Sequence, residues 1–581
     1  MATLPRNDQL ANTFERLADL LELDGADRFR LAAYRQAAQR IRDSSSPIAQ
    51  MALDGAATRL DGVGDTIQAK IVELVETGDL AALEKVRDRI PEGLVDVMKV
   101  PGLGPKRARQ IWEALGIESI AELDGAARAG ELRQLPGLGA KSEQRIVDAI
   151  ERPTTGAPAA GTLLGRALPI VKRIVEELQA DPASVRVSEA GSVRRRVETV
   201  KDVDVIATSD DVAALIGRFV ERPWVAAVEA YGDTRVTVLT QDGLQVDLRV
   251  VPPENYGNLL QHFTGSKAHN VAVRQAAVRA GLSVSEWGVE EAGSGETRTM
   301  ATEAELYEYL GYTWIPPELR ENTGELEAAQ AGELPALVEQ NQVRGDLHLH
   351  TDWSDGKATL EEMVVAGKRS GLRYLAISDH SPRLRGEKMD EQVAEIARVN
   401  DRASGIRVLS GVEVDIRSDG SLDLPDEVLA ERDWVVASVH SGFRDSRDKL
   451  TERVLSAIAN PYVDCIGHPT GRRIKSRAPY DLDLEAIFER AAATDTCLEI
   501  NGQPDRLDLR DSHARAAAAA GVQIQVSSDA HSVGAFEYRH NAVYQARRAW
   551  LESSQIVNTS SWRTLEAFRR RRISDAKALK R

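Results

Sequence analysis

Residues 345–356 read GDLHLHTDWSDG and bring two histidines and three aspartates into one short stretch. Read as a strand, His348 and His350 point to one face, because side chains alternate with period 2. Two imidazoles side by side either repel when protonated or share a cation. Downstream, AISDHS supplies His380, SGVEVDI Glu413, ASVHSG His440, CIGHPTG His468, and SSDAH Asp529 and His531, while the opening stretch adds Asp355. Nearly all of them end a short apolar strand or follow it, the edge on which α/β folds build their sites. A single such histidine is more often a surface or core residue, but nine groups on one edge point to a metal cage. Imidazole and carboxylate without thiolate suit Mn2+, Zn2+ or Fe2+ better than Mg2+. Nine ligands exceed the needs of one ion, so two or three are expected. Such a cluster activates water at neutral pH and clamps a phosphate, which is phosphoester hydrolysis.

A second set lies upstream. In AGSVRRRVETVKDVDVIA (190–207) the VKDVDVIA part alternates like a half-buried strand, so Asp202 and Asp204 share a face. GLQVDLRVV is another alternating strand and carries Asp247. For two aspartates alone, a sheet with polar outward positions is the plainer reading. Here a Gly-Ser turn and Arg194-Arg195-Arg196 stand just upstream and supply phosphate-binding groups. Three facing carboxylates repel unless divalent cations lie between them, the arrangement of two-metal phosphoryl or nucleotidyl transfer.

The elements that position these groups follow from periodicity. Residues 1–150 are helical in pattern, RPTTGAPAAGT (152–162) reads as a linker, and 185–251 is β-rich. The polar segment 317–342 reads as a second linker. Beyond it, short apolar strands alternate with helical stretches such as TLEEMVVAGKRSG, the signature of a parallel sheet, open or closed into a barrel. Within the helical part, LDGVGDTIQAKIVELV, VPGLGPKRARQIWEAL and LPGLGAKSEQRIVDAI repeat one frame. Their glycine pairs, Gly62 and Gly64, Gly102 and Gly104, Gly137 and Gly139, permit a tight turn with free N–H groups at a helix N-terminus. Three copies resemble the helix-hairpin-helix, which grips DNA phosphate without reading sequence.

GSVRRRVETVKDVDV resembles the nucleotidyltransferase signature of family X DNA polymerases, the family of eukaryotic DNA polymerase beta. NLLQHFTGSKAHNVAVRQAA (258–277) resembles that family's nucleotide-binding segment. The resemblance implies that Asp202, Asp204 and Asp247 hold two Mg2+ or Mn2+ ions and that Gly191, Ser192 and Arg195 bind the triphosphate. Phe263, Gly265, Asn270 and Arg274 would line the base and sugar of a dNTP, and gapped or primer-template DNA would be the partner. His262 stands where the eukaryotic enzymes carry a tyrosine beside the sugar, which bears on ribonucleotide discrimination. Lys201 replaces the family's usual glycine before the first aspartate, with its side chain expected to point away from the carboxylate face. Lys70 matches the lysine that forms a Schiff base with a 5′-deoxyribose phosphate, chemistry that requires a lowered pKa. Thr66 and Arg30 replace two lysines that bind the 5′-phosphate, so a solvated helix lysine is the alternative for Lys70.

The C-terminal motifs resemble the PHP domain, whose fold is a distorted (βα)7 barrel, and the nine residues match its ligand set without a gap. Bacterial family X polymerases carry this domain C-terminally, associated with Mn2+-dependent 3′→5′ exonuclease activity; Mn2+ and/or Zn2+ are the ions expected. The expected architecture is therefore multidomain. It comprises 1–82, a helical DNA-binding domain with the first helix-hairpin-helix; 83–155, further helix-hairpin-helix elements; 156–255, an α+β nucleotidyltransferase palm; 256–316, a nucleotide-binding subdomain; and 343–581, an α/β PHP phosphoesterase. The rival reading is a DNA 3′-end nuclease or phosphatase whose polymerase half is an inactive scaffold. A net charge of −16 excludes a wholly nucleic-acid-binding surface but not local patches such as the C-terminal FRRRRISDAKALKR. Two cysteines give no disulfide framework or thiolate zinc cluster, and no apolar run nears the roughly 18 residues of a membrane span. The start lacks a signal-peptide pattern. A cytoplasmic monomer is expected.

Overall fold

The computed structural model describes residues 4–44, 46–60, 62–100, 103–151 and 161–579. They fall into two units, Met1–Ala159 and Ala160–Arg581.

The first unit is helical. Apolar residues at three- and four-residue spacing bury Leu10, Phe14, Leu17 and Leu21 of helix Asn7–Leu23 with Leu31, Tyr34, Ala38 and Ile41 of helix Arg28–Asp43. Asp27 caps the second of these by accepting the N–H groups of Phe29 and Arg30. In each glycine turn one residue has left-handed backbone: Gly62, Gly104 and Gly137, with φ of 82°, 71° and 80°. Only glycine adopts that region without cost. Helices Asp65–Thr77 and Gly104–Leu115 start from these turns with no side-chain cap, and Gly64 lies at the first of the two starts. Gly139 precedes helix Ala140–Glu151, whose buried Glu143 accepts the N–H and guanidinium of Arg133. Gly102 lies outside the described residues.

In the second unit, β1 (Ser184–Glu189), β2 (Asp202–Ser209), β3 (Val225–Tyr231), β4 (Arg235–Thr240) and β5 (Gln245–Val251) form one sheet in the order β1-β2-β5-β4-β3. Its alternating apolar positions pack Val203, Val205, Val246 and Leu248 with helices Leu164–Gln179 and Val212–Val220. Helices Tyr256–Thr264 and Lys267–Arg279 follow the sheet.

Segment 317–342, expected to be a linker, is packed instead. It contains helix Glu325–Ala331 and buries Leu319, Leu326 and Ala329 beside Val273, Tyr307 and Ile315. Most of its charges are paired rather than solvated. Arg320, fully buried, donates to Glu303, and Glu325 meets His269 Nδ1 at 2.7 Å while His269 Nε2 meets the Tyr307 hydroxyl at 2.8 Å.

Seven parallel strands follow: β6 (Gly345–Leu349), β7 (Tyr374–Ile377), β8 (Arg407–Asp415), β9 (Trp434–Ser438), β10 (Cys465–Ile466), β11 (Cys497–Asn501) and β12 (Ile524–Ser527), each paired with the next. A parallel bridge from Leu349 to Ala530 brings the last strand's end back to the first, giving a nearly closed barrel. Strands buried on both faces read as continuous apolar runs, as these do. At the strand starts Trp434, Cys465 and Cys497 pack with Val557 and Leu565 of the C-terminal segment. The basic run therefore has a structural use. On helix Trp562–Leu579, Arg569 and Arg572 both donate to buried Asp464, Arg571 pairs with Asp495 and Arg570 with Glu566. No described helix is long and apolar enough to cross a membrane. Removing Asp464 leaves the buried Arg572 guanidinium uncompensated. Asp464→Ala should lower the unfolding free energy by about 3 kcal/mol, measured by denaturant titration.

Candidate active sites

Strand pairing places the upstream carboxylates. β2 and β5 are parallel, and Asp204 lies directly opposite Asp247, with Asp202 two residues earlier on the same face of β2. Lys201, one residue before, is exposed. Asp247 is oriented by the Thr237 hydroxyl on β4 and by Gln245 Nε2 at 2.8 Å. Burial, then repulsion from Asp202 and Asp247, pushes Asp204 up to about 7, against the pull of Arg249 and Arg195. Burial and Asp247 likewise raise Asp202. Two buried carboxylates pushed up by like-charged neighbours, facing a third across paired strands, fit a divalent-metal centre.

The turn after β1 abuts this face. Gly191 has φ of 63°, and a Cβ there would lie 2.3 Å from Asp204 Oδ2. Only glycine lets the backbone approach a carboxylate so closely. Of the three arginines, two serve structure: Arg194 pairs with Glu303 and the Thr264 hydroxyl, and Arg196 pairs with Glu189. Arg195 donates to Thr264 O at 2.5 Å and to Glu321 Oε1 at 3.0 Å. Ser192 is half-buried beside it.

The segment 258–277 forms a corner rather than one helix. Gly265 (φ 69°) separates its two helices, and Ser266 caps the second through the His269 N–H. Asn270 donates to His262 O at 2.7 Å, Arg274 meets His262 Nδ1 at 2.9 Å, and the Arg249 guanidinium lies 4.2 Å from the Phe263 ring centre. Arg249, Thr237 and Gln245 were not singled out from the sequence, although Arg249 shares the alternation that exposes Asp247. In the first unit, Lys70 is half-buried on helix Asp65–Thr77, while Arg30 and Thr66 are exposed.

The barrel collects all nine of the other candidates at the C-terminal ends of its strands. Glu413 on β8 is the centre. Its Oε1 lies 3.4 Å from His348 Nε2, 3.3 Å from His440 Nε2 and 3.2 Å from His468 Nε2; its Oε2 lies 2.8 Å from His380 Nδ1 and 3.6 Å from His350 Nε2. Asp529 reaches His350 Nε2 at 3.3 Å and His531 Nδ1 at 3.5 Å, and Asp355 reaches His380 Nε2 at 3.5 Å and His531 Nε2 at 3.4 Å. Among the described residues, three overlapping groups have ligand atoms within 4.8 Å of one another: His350, Asp355, His380 and His531; His348, His350 and Asp529; and His380, Glu413 and His440.

The donors fit a metal cluster. His348 Nε2, both ring nitrogens of His350, Glu413 Oε1 and His468 Nδ1 are buried without a hydrogen-bond partner. Such atoms need a partner of another kind. Residues the sequence reading passed over aim the ligands. Glu499 on β11 contacts His348 Nδ1 at 2.7 Å and accepts the His468 N–H at 2.6 Å; Asp415 contacts His440 Nδ1 at 2.7 Å; Asn501 donates to Asp529 at 2.9 Å. Each imidazole contact leaves the other ring nitrogen turned to the centre, the usual outer shell of a metal site. Asp415 ends its apolar strand, the criterion that found the ligands, whereas Glu499 lies in the middle of its own.

Charge balance agrees. Burial lowers His350, and burial with Arg506 nearby lowers His468 to about 4. Burial also opposes charge on His380 and His440, but Asp355 and Glu413 raise the first to about 10, and Glu413 and Asp415 raise the second to about 9. Ligation needs neutral imidazole. Without a cation, both rings carry protons below about pH 9, and metal must displace them. Against burial, neighbouring carboxylates also raise His348 and His531, so Mn2+ titration at pH 7.5, repeated by calorimetry in buffers of different ionisation enthalpy, should release at least about two protons per chain. Affinity should rise with pH up to about 10.

Comparison with known proteins follows the same division. A helix-hairpin-helix domain matches residues 5–80, a SAM-like helix-hairpin-helix tandem 94–152, the DNA polymerase beta thumb 259–321 and the PHP domain 346–503. Over 565 residues the chain is 37% identical to the DNA polymerase/3′-5′ exonuclease PolX of Bacillus subtilis (strain 168), spanning 96% of this chain and 98% of that one. It is also 32% identical over 229 residues to a probable phosphatase of Thermoanaerobacter sp. (strain X514), spanning 37% of this chain and 89% of the relative. A probable phosphatase of Syntrophotalea carbinolica is 31% identical over 235 residues, 38% of this chain and 94% of the relative.

Proposed function

The chain belongs to the bacterial family X DNA polymerases that join a polymerase beta-like core to a PHP domain, and we propose that it fills short gaps in DNA and trims DNA 3′ ends. The observation that carries this reading is that both donor sets are complete: Asp202, Asp204 and Asp247 on paired strands, and nine imidazole and carboxylate ligands at one barrel mouth.

At the first site Asp202, Asp204 and Asp247 would hold two Mg2+ or Mn2+ ions, which when bound lower the pKa of the attacking hydroxyl and neutralise the leaving phosphate. Asp247, oriented by Thr237 and Gln245, takes the proton of the primer 3′-hydroxyl. The freed oxygen attacks the α-phosphate of a dNTP, and pyrophosphate leaves toward Ser192, Arg195 and the Gly191 turn. Phe263, Gly265, Asn270 and Arg274 bound the base and sugar, with His262 against the ribose edge. The glycine turns of the first unit grip DNA phosphates through N–H groups at helix starts. Support for Lys70 as a Schiff-base lysine is its matching position and partial burial.

At the second site the nine ligands would hold two or three Mn2+ and/or Zn2+ ions, which when bound supply a nucleophile at neutral pH and clamp the scissile phosphate. Glu499 and Asp415 keep the tautomers of His348 and His440 that present Nε2 to the centre. The product is a shortened 3′ end.

A labelled primer on DNA with a one-nucleotide gap, in Mn2+ with and without dNTP, tests the division of labour. Asp202→Ala/Asp204→Ala should lose extension at least about a hundredfold while still shortening the primer. His348→Ala/His350→Ala should lose shortening by a similar factor and still extend. Wild-type protein that shortens but never extends would make the polymerase half a scaffold.

A further inference from the structure

Helix Tyr538–Arg548 belongs to the barrel, yet its end lies against the turn that carries Arg195. Arg548 is almost fully buried and its own fork is fixed. Nε and Nη2 donate to Asp511 Oδ2 at 2.9 and 2.8 Å, and Nη1 donates to the backbone carbonyl of Arg195 at 2.8 Å and to Glu321 Oε1 at 3.0 Å. The same Glu321 oxygen accepts Arg195 Nε at 3.0 Å, and Arg195 Nη1 reaches Thr264 O at the Gly265 corner. The rest of the turn is gripped from the same side. The Arg196 guanidinium lies 4.7 Å from the Tyr544 ring centre, and Glu198 accepts Arg472 and, at 3.1 Å, Gln545 Nε2.

We propose that Arg548 is a positioning residue for nucleotide binding: it fixes the backbone of Arg195 and, through Glu321, the direction of the Arg195 guanidinium. The proposal rests on the reading of Arg195 as a triphosphate ligand. A planar guanidinium binds phosphate only when its fork is aimed, and small misplacements at a reacting centre are costly. Arg548 also shares the Glu321 charge. Without it, Glu321 pairs with Arg195 alone and competes with phosphate for that fork. The barrel thus contributes to polymerisation through a contact remote from its own ligands.

The test is single-nucleotide gap filling by full-length Arg548→Gln, Arg548→Lys, Arg195→Gln and the Arg195→Gln/Arg548→Gln pair, with primer shortening measured alongside. Arg548→Gln should raise KM for dNTP about tenfold, with kcat changed less than about threefold and shortening unchanged. Arg548→Lys, which keeps charge but not the fork, should fall between. The pair should bind dNTP no worse than Arg195→Gln alone, because Arg548 acts only through that residue. A wild-type KM in Arg548→Gln, with KM raised in Arg195→Gln, overturns the positioning role. An unchanged KM in Arg195→Gln overturns the reading of Arg195 itself. If Arg548→Gln loses shortening as well, Glu321→Gln decides: a raised KM supports the relay and a wild-type KM overturns it.

Discussion

A carboxylate withdrawn from water and ringed by imidazoles is the constraint around which the barrel is built. Glu413 meets His348, His350, His380, His440 and His468 within 3.6 Å, and four of the six residues are almost wholly buried. An isolated buried charge costs several kcal/mol, roughly, even after the protein relaxes. The arrangement persists only if protons or cations balance it. Every strand supports that balance, because parallel strands deliver their C-terminal ends to one mouth. The Leu349–Ala530 bridge then brings His350 beside Asp529 and His531. Glu499, Asp415 and Asn501 complete it by occupying the outward-facing donors and acceptors.

The palm solves a similar problem with less material. Three carboxylates on two paired strands repel, and what moderates them is cationic: Arg195 and Arg249. These arginines are themselves constrained, one by Glu321 and the other by the Phe263 ring. The connecting segment 317–342 supplies much of that constraint. Glu318 and Glu339 take Arg547, Glu321 takes Arg195 and Arg548, and Glu325 takes His269. It works as a row of acceptors for basic residues of the palm side and of helix Tyr538–Arg548.

The parts legible in the sequence were those governed by periodicity. Two-residue alternation placed Asp202, Asp204 and Asp247 on one face, and short apolar strands followed by histidine placed the nine ligands on one edge. The parts that were not legible depend on partners far away in sequence. The polar composition of 317–342 suggested a solvated linker, because composition counts charges and not the groups that face them. The C-terminal arginines looked like a basic patch, whereas two of them close on Asp464. Arg194 and Arg196 have the position of phosphate ligands, but Glu303 and Glu189 take them. Asp415 lies within reach of the strand-end criterion and Glu499 inside a strand, but an acid beside an apolar run announces itself only once the imidazole it orients is known.

The clamp of Arg569 and Arg572 on Asp464 also has a meaning in time. Asp464 immediately precedes β10, and its partner Arg569 is made 105 residues later. During synthesis the helical unit and the palm can complete their cores while the barrel floor still lacks its counter-charges, since domains fold as units from the N-terminus. The ion pairs that close the floor of the barrel therefore form only after the helical unit and the palm have been synthesised.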